Sequence, residues 1–301
     1  MMPSLDLQKM LAGAQLPALP QSAIRLLELS QDPNNGPAEF AVPIESDPGL
    51  AGQVLRFVNS SYFGFSREIS SVKLAITLVG IRTIKNFALW SAVFSLMPNP
   101  RCGPFELKSL WQDSLRRALM ARTMGKRLGM KEAEDLFAAA LLQDMSVPLL
   151  AKEAPEIYIK LLKARNDGRV RLSDLEQETF GWTHAHAAGL MARQWNLPES
   201  LAGLVEDHTQ LDRWLQAPNH DLGRLSVAMS ALLPATSDSQ WNECAKFEAC
   251  YQSMVSVDRG TVEGLLQQTD EEFTEFAPTM KLAKPRKSLV DCYHEVAVPT
   301  Q

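Results

Sequence analysis

Apolar positions recur at helical spacing along almost the whole chain, and no segment alternates as a half-buried strand would. After Pro17 and Pro20, the positions Ile24, Leu26, Leu27 and Leu29 predict a largely buried helix that starts near Ser22. Asp32-Pro33-Asn34-Asn35-Gly36 is a turn cluster, and a second helix should start near Pro37. Pro43 is expected to kink or shorten that helix, because proline lacks a backbone donor and clashes with the preceding turn. Asp47-Pro48 is a helix start: aspartate caps the free amides and proline suits the first helical position. Leu50, Val54, Leu55 and Val58 then fall on one face. Ser70 or Ser71 caps the next helix, which carries Val72, Ala75, Ile76 and Val79 and is broken by Gly80. A further apolar helix runs from about Ile81 to Met97. Pro98, Pro100, Gly103 and Pro104 make the most linker-like stretch and mark an internal boundary.

The second half repeats the pattern. Helices are predicted over 105–127 and 131–150, the latter a single buried helix closed by Pro148. Shorter ones follow at 155–164, 173–180 and 183–195, then from Leu197-Pro198 to His208, then over 222–233, 241–255 and 259–275. The last twenty or so residues lack a period and are expected to form a loose tail. The predicted class is all-α, without internal repeats.

Composition narrows this picture only slightly. A chain of 301 residues can bury a sizeable core as one large domain or two closely packed ones. No apolar run approaches the ~18 residues that span a bilayer, so no membrane insertion is expected. The N-terminal residues lack the pattern of a signal peptide. Cys102, Cys244, Cys250 and Cys292 form no CxxC and read as reduced thiols, which points to a cytoplasmic protein. The net charge of -5 and the lack of a dense basic stripe argue against a nucleic-acid partner. The nearest basic cluster, Lys281, Lys284, Arg286 and Lys287, reads as part of a solvated tail.

Two groups of residues resemble the HDOD domain, a bacterial signalling relative of the HD and HD-GYP metal-dependent phosphohydrolases. In the first half these are Leu16-Pro17-Ala18-Leu19-Pro20, Asp47-Pro48-Gly49-Leu50, Val58-Asn59-Ser60-Ser61-Tyr62-Phe63-Gly64 and Ile69-Ser70-Ser71-Val72. Ala75-Ile76 and Leu78-Val79-Gly80 follow at the family spacing. In the second half, Trp111-Gln112-Asp113-Ser114 lies where HD proteins have Trp-x-His-Ser, and Gln143-Asp144 lies at the His-Asp pair. His184, Gly189, Trp195 and Leu197-Pro198 are in register with the segment that follows, and His208 falls at the next family histidine. The resemblance spans about residues 16–230. It implies an HD-domain-like helical bundle, with an N-terminal HDOD layer (1–100) on an HD-like core (105–235); outside the resemblance, the chain's own pattern adds C-terminal bracing helices (236–280) and a tail (281–301).

The departures from the family carry the functional expectation. An active HD site needs a first-helix histidine, the His-Asp pair and a late aspartate. Here those positions hold Asp113, Gln143, Asp144 and Met229. A carboxamide is a weak ligand and a thioether suits soft metals, so three of the four positions are poor for a hydrolytic divalent cation. The resemblance therefore implies a non-catalytic signal-transduction or regulatory module with no cofactor and no bound metal. Such a module would act on signalling proteins that the sequence does not identify. Two alternatives stay open: a residual metal-dependent phosphohydrolase acting on a nucleotide or cyclic dinucleotide, and a ligand-sensing pseudoenzyme. A rearranged metal site from Asp113, Asp144, His184 and His208 is chemically conceivable, since two carboxylates and two imidazoles are suitable ligands. His184 and His186 lie two apart on a helix and cannot chelate as a pair, so His186 is expected to be exposed. His220 and His294 receive no role. The loop Asn59, Ser60, Tyr62, Phe63, Gly64 reads as structural, with Phe63 and Phe65 packing the two halves together. Arg82 and Lys85 share a face that could dock an acidic partner, although a solvated face is the plainer reading.

Overall fold

The computed structural model describes residues 6–14 and 16–297. A short helix α1 (Leu7–Gly13) precedes an N-terminal layer of α2 (Gln21–Leu29), α3 (Pro37–Glu45), α4 (Pro48–Val58), α5 (Val72–Val79) and α6 (Ile81–Leu96). The central bundle comprises α7 (Leu107–Arg127), α8 (Ala133–Leu142), α9 (Val147–Glu153), α10 (Pro155–Ala164), α11 (Leu172–Phe180), α12 (His184–Gln194), α13 (Glu199–Asp207), α14 (Leu211–Gln216) and α15 (Leu222–Ser230). The C-terminal part adds α16 (Cys244–Met254), α17 (Val262–Phe276) and α18 (Leu289–Ala297), with 3-10 turns at Val257–Arg259 and Ala277–Met280. The chain is 66% helical and the described residues contain no strand, so the all-α class holds. None of the described helices is long and apolar enough to cross a membrane.

The helix starts follow the capping chemistry. The Asp47 carboxylate accepts from the Leu50 amide at 3.0 Å, and the Ser71 hydroxyl accepts from the Leu74 amide at 3.3 Å. Pro43, by contrast, does not interrupt α3, which continues through it to Glu45. The first and second halves share one core: a single cluster of buried apolar side chains runs from Leu11 to Ala277. α6 lies against α8, where the Asn86 amide donates to the Glu134 carbonyl at 2.8 Å, and against the start of α7, where Phe94 stacks on Trp111 with centroids 3.6 Å apart. Arg82 is drawn into the same junction, donating to the Lys131 carbonyl at 3.0 Å, so it is not a free docking group.

α7 is the central strut, with α8, α15 and α17 packed around it. At its middle, Arg122 is buried, donates to Glu272 at 2.7 Å and lies over the rings of Tyr62, Phe137 and Phe276 at 5.0–5.3 Å. Such a charge is tolerated only because it is paired and faced by aromatic rings. The family loop is part of this scaffold. The Asn59 side chain bonds both the carbonyl and the amide of Ile69 at 2.8 Å, and Ser60 donates to the Phe57 carbonyl at 2.7 Å. Phe63 packs between the halves against Phe57 and Phe276, whereas Phe65 stacks on Phe63 and remains 37% exposed.

Three expectations are corrected. The helix read over 131–150 is two helices, and Pro148 opens the second. Proline at 148 cannot donate to the Asp144 carbonyl four residues back, and that carbonyl accepts instead from the Val147 amide at 3.1 Å. The segment read as a loose tail contains α18, which is docked: Leu289 is buried, and the Leu289 and Val290 amides donate to the Asp270 carboxylate at 3.0 and 3.1 Å. Residues 298–301 of that expectation lie outside the described residues. His186 is half-buried, and its ring Nδ1 accepts from the Thr183 amide at 3.0 Å, closing the start of α12. Two short helices, α1 and α14, were not anticipated from the pattern.

Candidate functional site

The break between α8 and α9 sets Asp144 in a tight turn at the floor of a cavity of about 570 Å³. α12 brings His184 to the same floor from its first position, and the end of α13 brings His208. All three side chains are buried. Asp144 Oδ1 lies 3.3 Å from His184 Nε2 and 3.7 Å from His208 Nε2, and the two Nε2 atoms are 3.2 Å apart.

The far side of each ring is fixed. His184 Nδ1 sits 2.6 Å from Glu176 Oε2, and His208 Nδ1 sits 2.6 Å from the Val205 carbonyl oxygen. Each Nδ1 therefore carries a hydrogen that it donates outward, and each Nε2 faces the centre. Glu176 is itself fully buried and accepts from the Tyr158 hydroxyl at 2.7 Å and from the His184 amide at 2.7 Å. Two imidazole lone pairs cannot face each other at this distance unless a proton or a cation lies between them. Burial opposes a charge on His184, but Glu176 and Asp144 outweigh it and raise its pKa to about 9. Burial, with His184 alongside, lowers that of His208 to about 3. Beyond the two outward Nδ1 hydrogens, one further proton between the facing Nε2 atoms satisfies the contact, and the directions of the two shifts favour His184 as its holder.

On its other oxygen, Asp144 accepts from Arg117, which reaches down from α7. Burial disfavours the charged carboxylate, but the Arg117 guanidinium more than compensates and holds it well below the usual carboxylate range.

The sequence-predicted positions divide into two groups. Asp113, Asp144, His184 and His208 all line the cavity. Asp113 stands apart from the triad and accepts from the Thr236 amide at 2.7 Å, tying α7 to the loop after α15. Burial raises its pKa to about 6, against the opposing pull of Arg117 and the Thr236 amide. Gln143 turns away: its carbonyl oxygen accepts from the Ser230 hydroxyl at 3.2 Å, and its buried Nε2 has no partner. Met229 packs in a second apolar cluster with Met120, Met124 and Trp241 and does not line the cavity. Sequence reasoning missed Arg117, Glu176 and Tyr158. Two of them left a trace: Arg117 follows Asp113 by one helical turn, and Glu176 falls on the inward stripe of α11 with Ser173 and Phe180.

The donor set can be tested against the metal that HD relatives use. A tetrahedral ion with bonds of about 2.0–2.1 Å needs donors roughly 3.3–3.4 Å apart, and the three edges here are 3.3, 3.2 and 3.7 Å. Outer hydrogen bonds to a carboxylate and a carbonyl are those that orient metal-binding imidazoles. Asp144, His184 and His208 therefore fit one divalent ion, once the ring proton is displaced. Such an ion, when bound, supplies Lewis acidity and an acidified water. Among the described residues no second cluster of three such donors accompanies it.

Compared with known proteins, residues 16–211 match the HDOD domain family. The chain belongs to that family. Two solved structures share the fold over most of their length. One is an HDOD domain protein of unknown function from Geobacter sulfurreducens (TM-score 0.70, 18% identity, 90% of this chain and 94% of that one). The other is from Shewanella amazonensis SB2B and is provisionally named a phosphohydrolase (TM-score 0.70, 20% identity, 94% of this chain and 100% of that one). An uncharacterised protein of Treponema pallidum (strain Nichols) is 23% identical over 197 residues, which make up 65% of this chain and 38% of the relative. The chain thus spans well under half the length of that curated relative.

Proposed function

We propose that the chain is a non-catalytic regulatory module of bacterial, cytoplasmic signal transduction that acts by contacts with other proteins. The observation that carries this reading is Arg117 on Asp144. The carboxylate best placed to anchor a cation is already neutralised by a cation of the chain itself. Beside it, Asp113, Gln143 and Met229 serve the packing of the bundle. Hydrolysis of a phosphoester needs a strongly held ion and an activated water. One shared carboxylate and two imidazoles that hold a proton between them are a weak basis for either.

A second reading is favoured by the cavity: a regulatory module that receives a small ligand without transforming it. A pocket of about 570 Å³ with a buried polar floor has the size and the sparse polar groups of a small-molecule site. The test is a phosphodiesterase and phosphomonoesterase assay on the purified chain with added manganese. Product formation no faster than with Asp144→Ala supports both readings. Metal-dependent turnover abolished by that substitution would favour a residual hydrolase.

A further inference from the structure

The segment between α17 and α18 crosses the cavity as a strap. At one end the Gln112 side-chain amide donates to the Ala283 carbonyl at 2.8 Å. At the other, Arg116 donates to the Lys287 carbonyl, and Lys287 reaches the Ser239 carbonyl at 3.2 Å and Glu295 at 2.7 Å. Between these anchors Lys284 and Arg286 line the cavity, and Arg171 lines it from the start of α11. These three side chains have no hydrogen-bond or ion-pair partner among the described residues. The other lining arginines are spent, Arg165 on Asp238 at 2.8 Å and Arg117 on Asp144.

The acidic lining residues are largely spent too. Asp144 and Asp238 are paired with those arginines, and Asp113 is bound to the Thr236 amide. Glu106, which accepts from Ser109 at 3.2 Å, and Glu243 remain on the lining. Three cations without an ion-pair partner thus share the lining with three carboxylates that also lack one, Glu106, Glu243 and Asp113, and two of the three cations sit together on the strap. Deeper in, two buried polar atoms on lining residues lack a partner among the described residues: Arg117 Nε and Thr209 Oγ1. Both atoms are closed off from the open cavity, so recognition of a ligand falls to the side chains of the strap and of α11.

We propose that the cavity binds a small phosphate-bearing anion, with Lys284, Arg286 and Arg171 holding the phosphate at its mouth. This assignment rests on the ligand-receiving reading. It also gives the C-terminal strap, which lies beyond the family match at residue 211, a recognition role. Planar guanidinium groups suit a phosphate, because two parallel N–H groups meet two of its oxygens.

Calorimetry on the full chain tests it with inorganic phosphate, pyrophosphate, adenosine monophosphate and adenosine. The three phosphate-bearing probes are expected to bind, with affinity falling as salt rises, and adenosine is not. If inorganic phosphate alone binds, the source is the free ion; tighter monophosphate binding indicates a phosphoester. Lys284→Ala combined with Arg286→Ala should weaken binding by roughly tenfold or more, as should Arg171→Ala, while Lys281→Ala leaves it unchanged. Matching melting temperatures would show that these exposed or half-exposed substitutions leave the fold intact. Adenosine binding as tightly as the monophosphate would overturn the proposal, as would no binding by any probe or an unchanged affinity in Arg286→Glu. Release of phosphate from the monophosphate, lost in Asp144→Ala, would instead refute the non-catalytic reading, while the calorimetry still decides the anion claim.

Discussion

The cavity floor and the flank beside it both hold positions that the family resemblance singles out, and the fold uses them differently. On the floor, Asp144, His184 and His208 still converge, and their outer atoms are held by Glu176, Val205 and Arg117. On the flank, Asp113 ties down a loop, Gln143 bonds Ser230 and Met229 fills an apolar cluster. The contrast teaches that converging polar side chains can be held by a closed set of partners while the positions beside them serve packing alone. What the floor retains is a closed circuit of charges and hydrogen bonds, and the circuit itself stabilises the bundle.

The largest expected effect lies on the floor. Asp144→Ala leaves the Arg117 charge without its partner in a site where Arg117 is only 14% exposed. Breaking a buried pair from one side costs about 3–5 kcal/mol, so urea unfolding should show a loss of that order. A loss below about 1 kcal/mol would mean that the pair is not structural.

On the flank the next effect has the opposite sign. Asp113 has a folded-state pKa of about 6, above the ordinary carboxylate value of 3.8. The folded chain therefore binds the Asp113 proton more tightly than the unfolded chain. The resulting stabilisation is complete below the unfolded pKa and is lost as pH rises through about 6. Asp113→Asn keeps an acceptor for the Thr236 amide and removes the ionisation. At pH 7–8 the variant should be more stable than the parent by on the order of 2–3 kcal/mol, with the difference vanishing near pH 4. Melting temperatures across that range check it.

A smaller gain is expected at Gln143, whose buried amide nitrogen lacks a partner. Gln143→Met removes that donor at nearly constant volume, and urea unfolding should register a gain of about 1 kcal/mol. A loss instead would show that the amide is serving something on the cavity side.

Much of the fold was legible because its helices carry their own signals. Asp47-Pro48 and Ser71 cap where their chemistry says they should, and Asp144, His184 and His208, singled out from the family register, lie together on the cavity lining. What escaped was tertiary. Pro148 was visible, but a missing donor is compatible with closing one helix or opening the next, and only the packing of α9 decides. The start of α18 depends on Asp270, about twenty residues earlier in the chain, so no local pattern announces it. Arg117 and Glu176 looked like ordinary helix charges until the fold aimed them inward.

The contrast also limits metal uptake: with the one three-donor cluster of the described residues on the floor, elemental analysis after saturation should find no more than one tightly held divalent ion per chain. The most direct test of the central claim is phosphodiester hydrolysis by the purified chain in excess manganese, run beside Asp144→Ala. The account predicts equal, background rates for the two proteins. Turnover by the parent that needs the metal and disappears in the variant would contradict it.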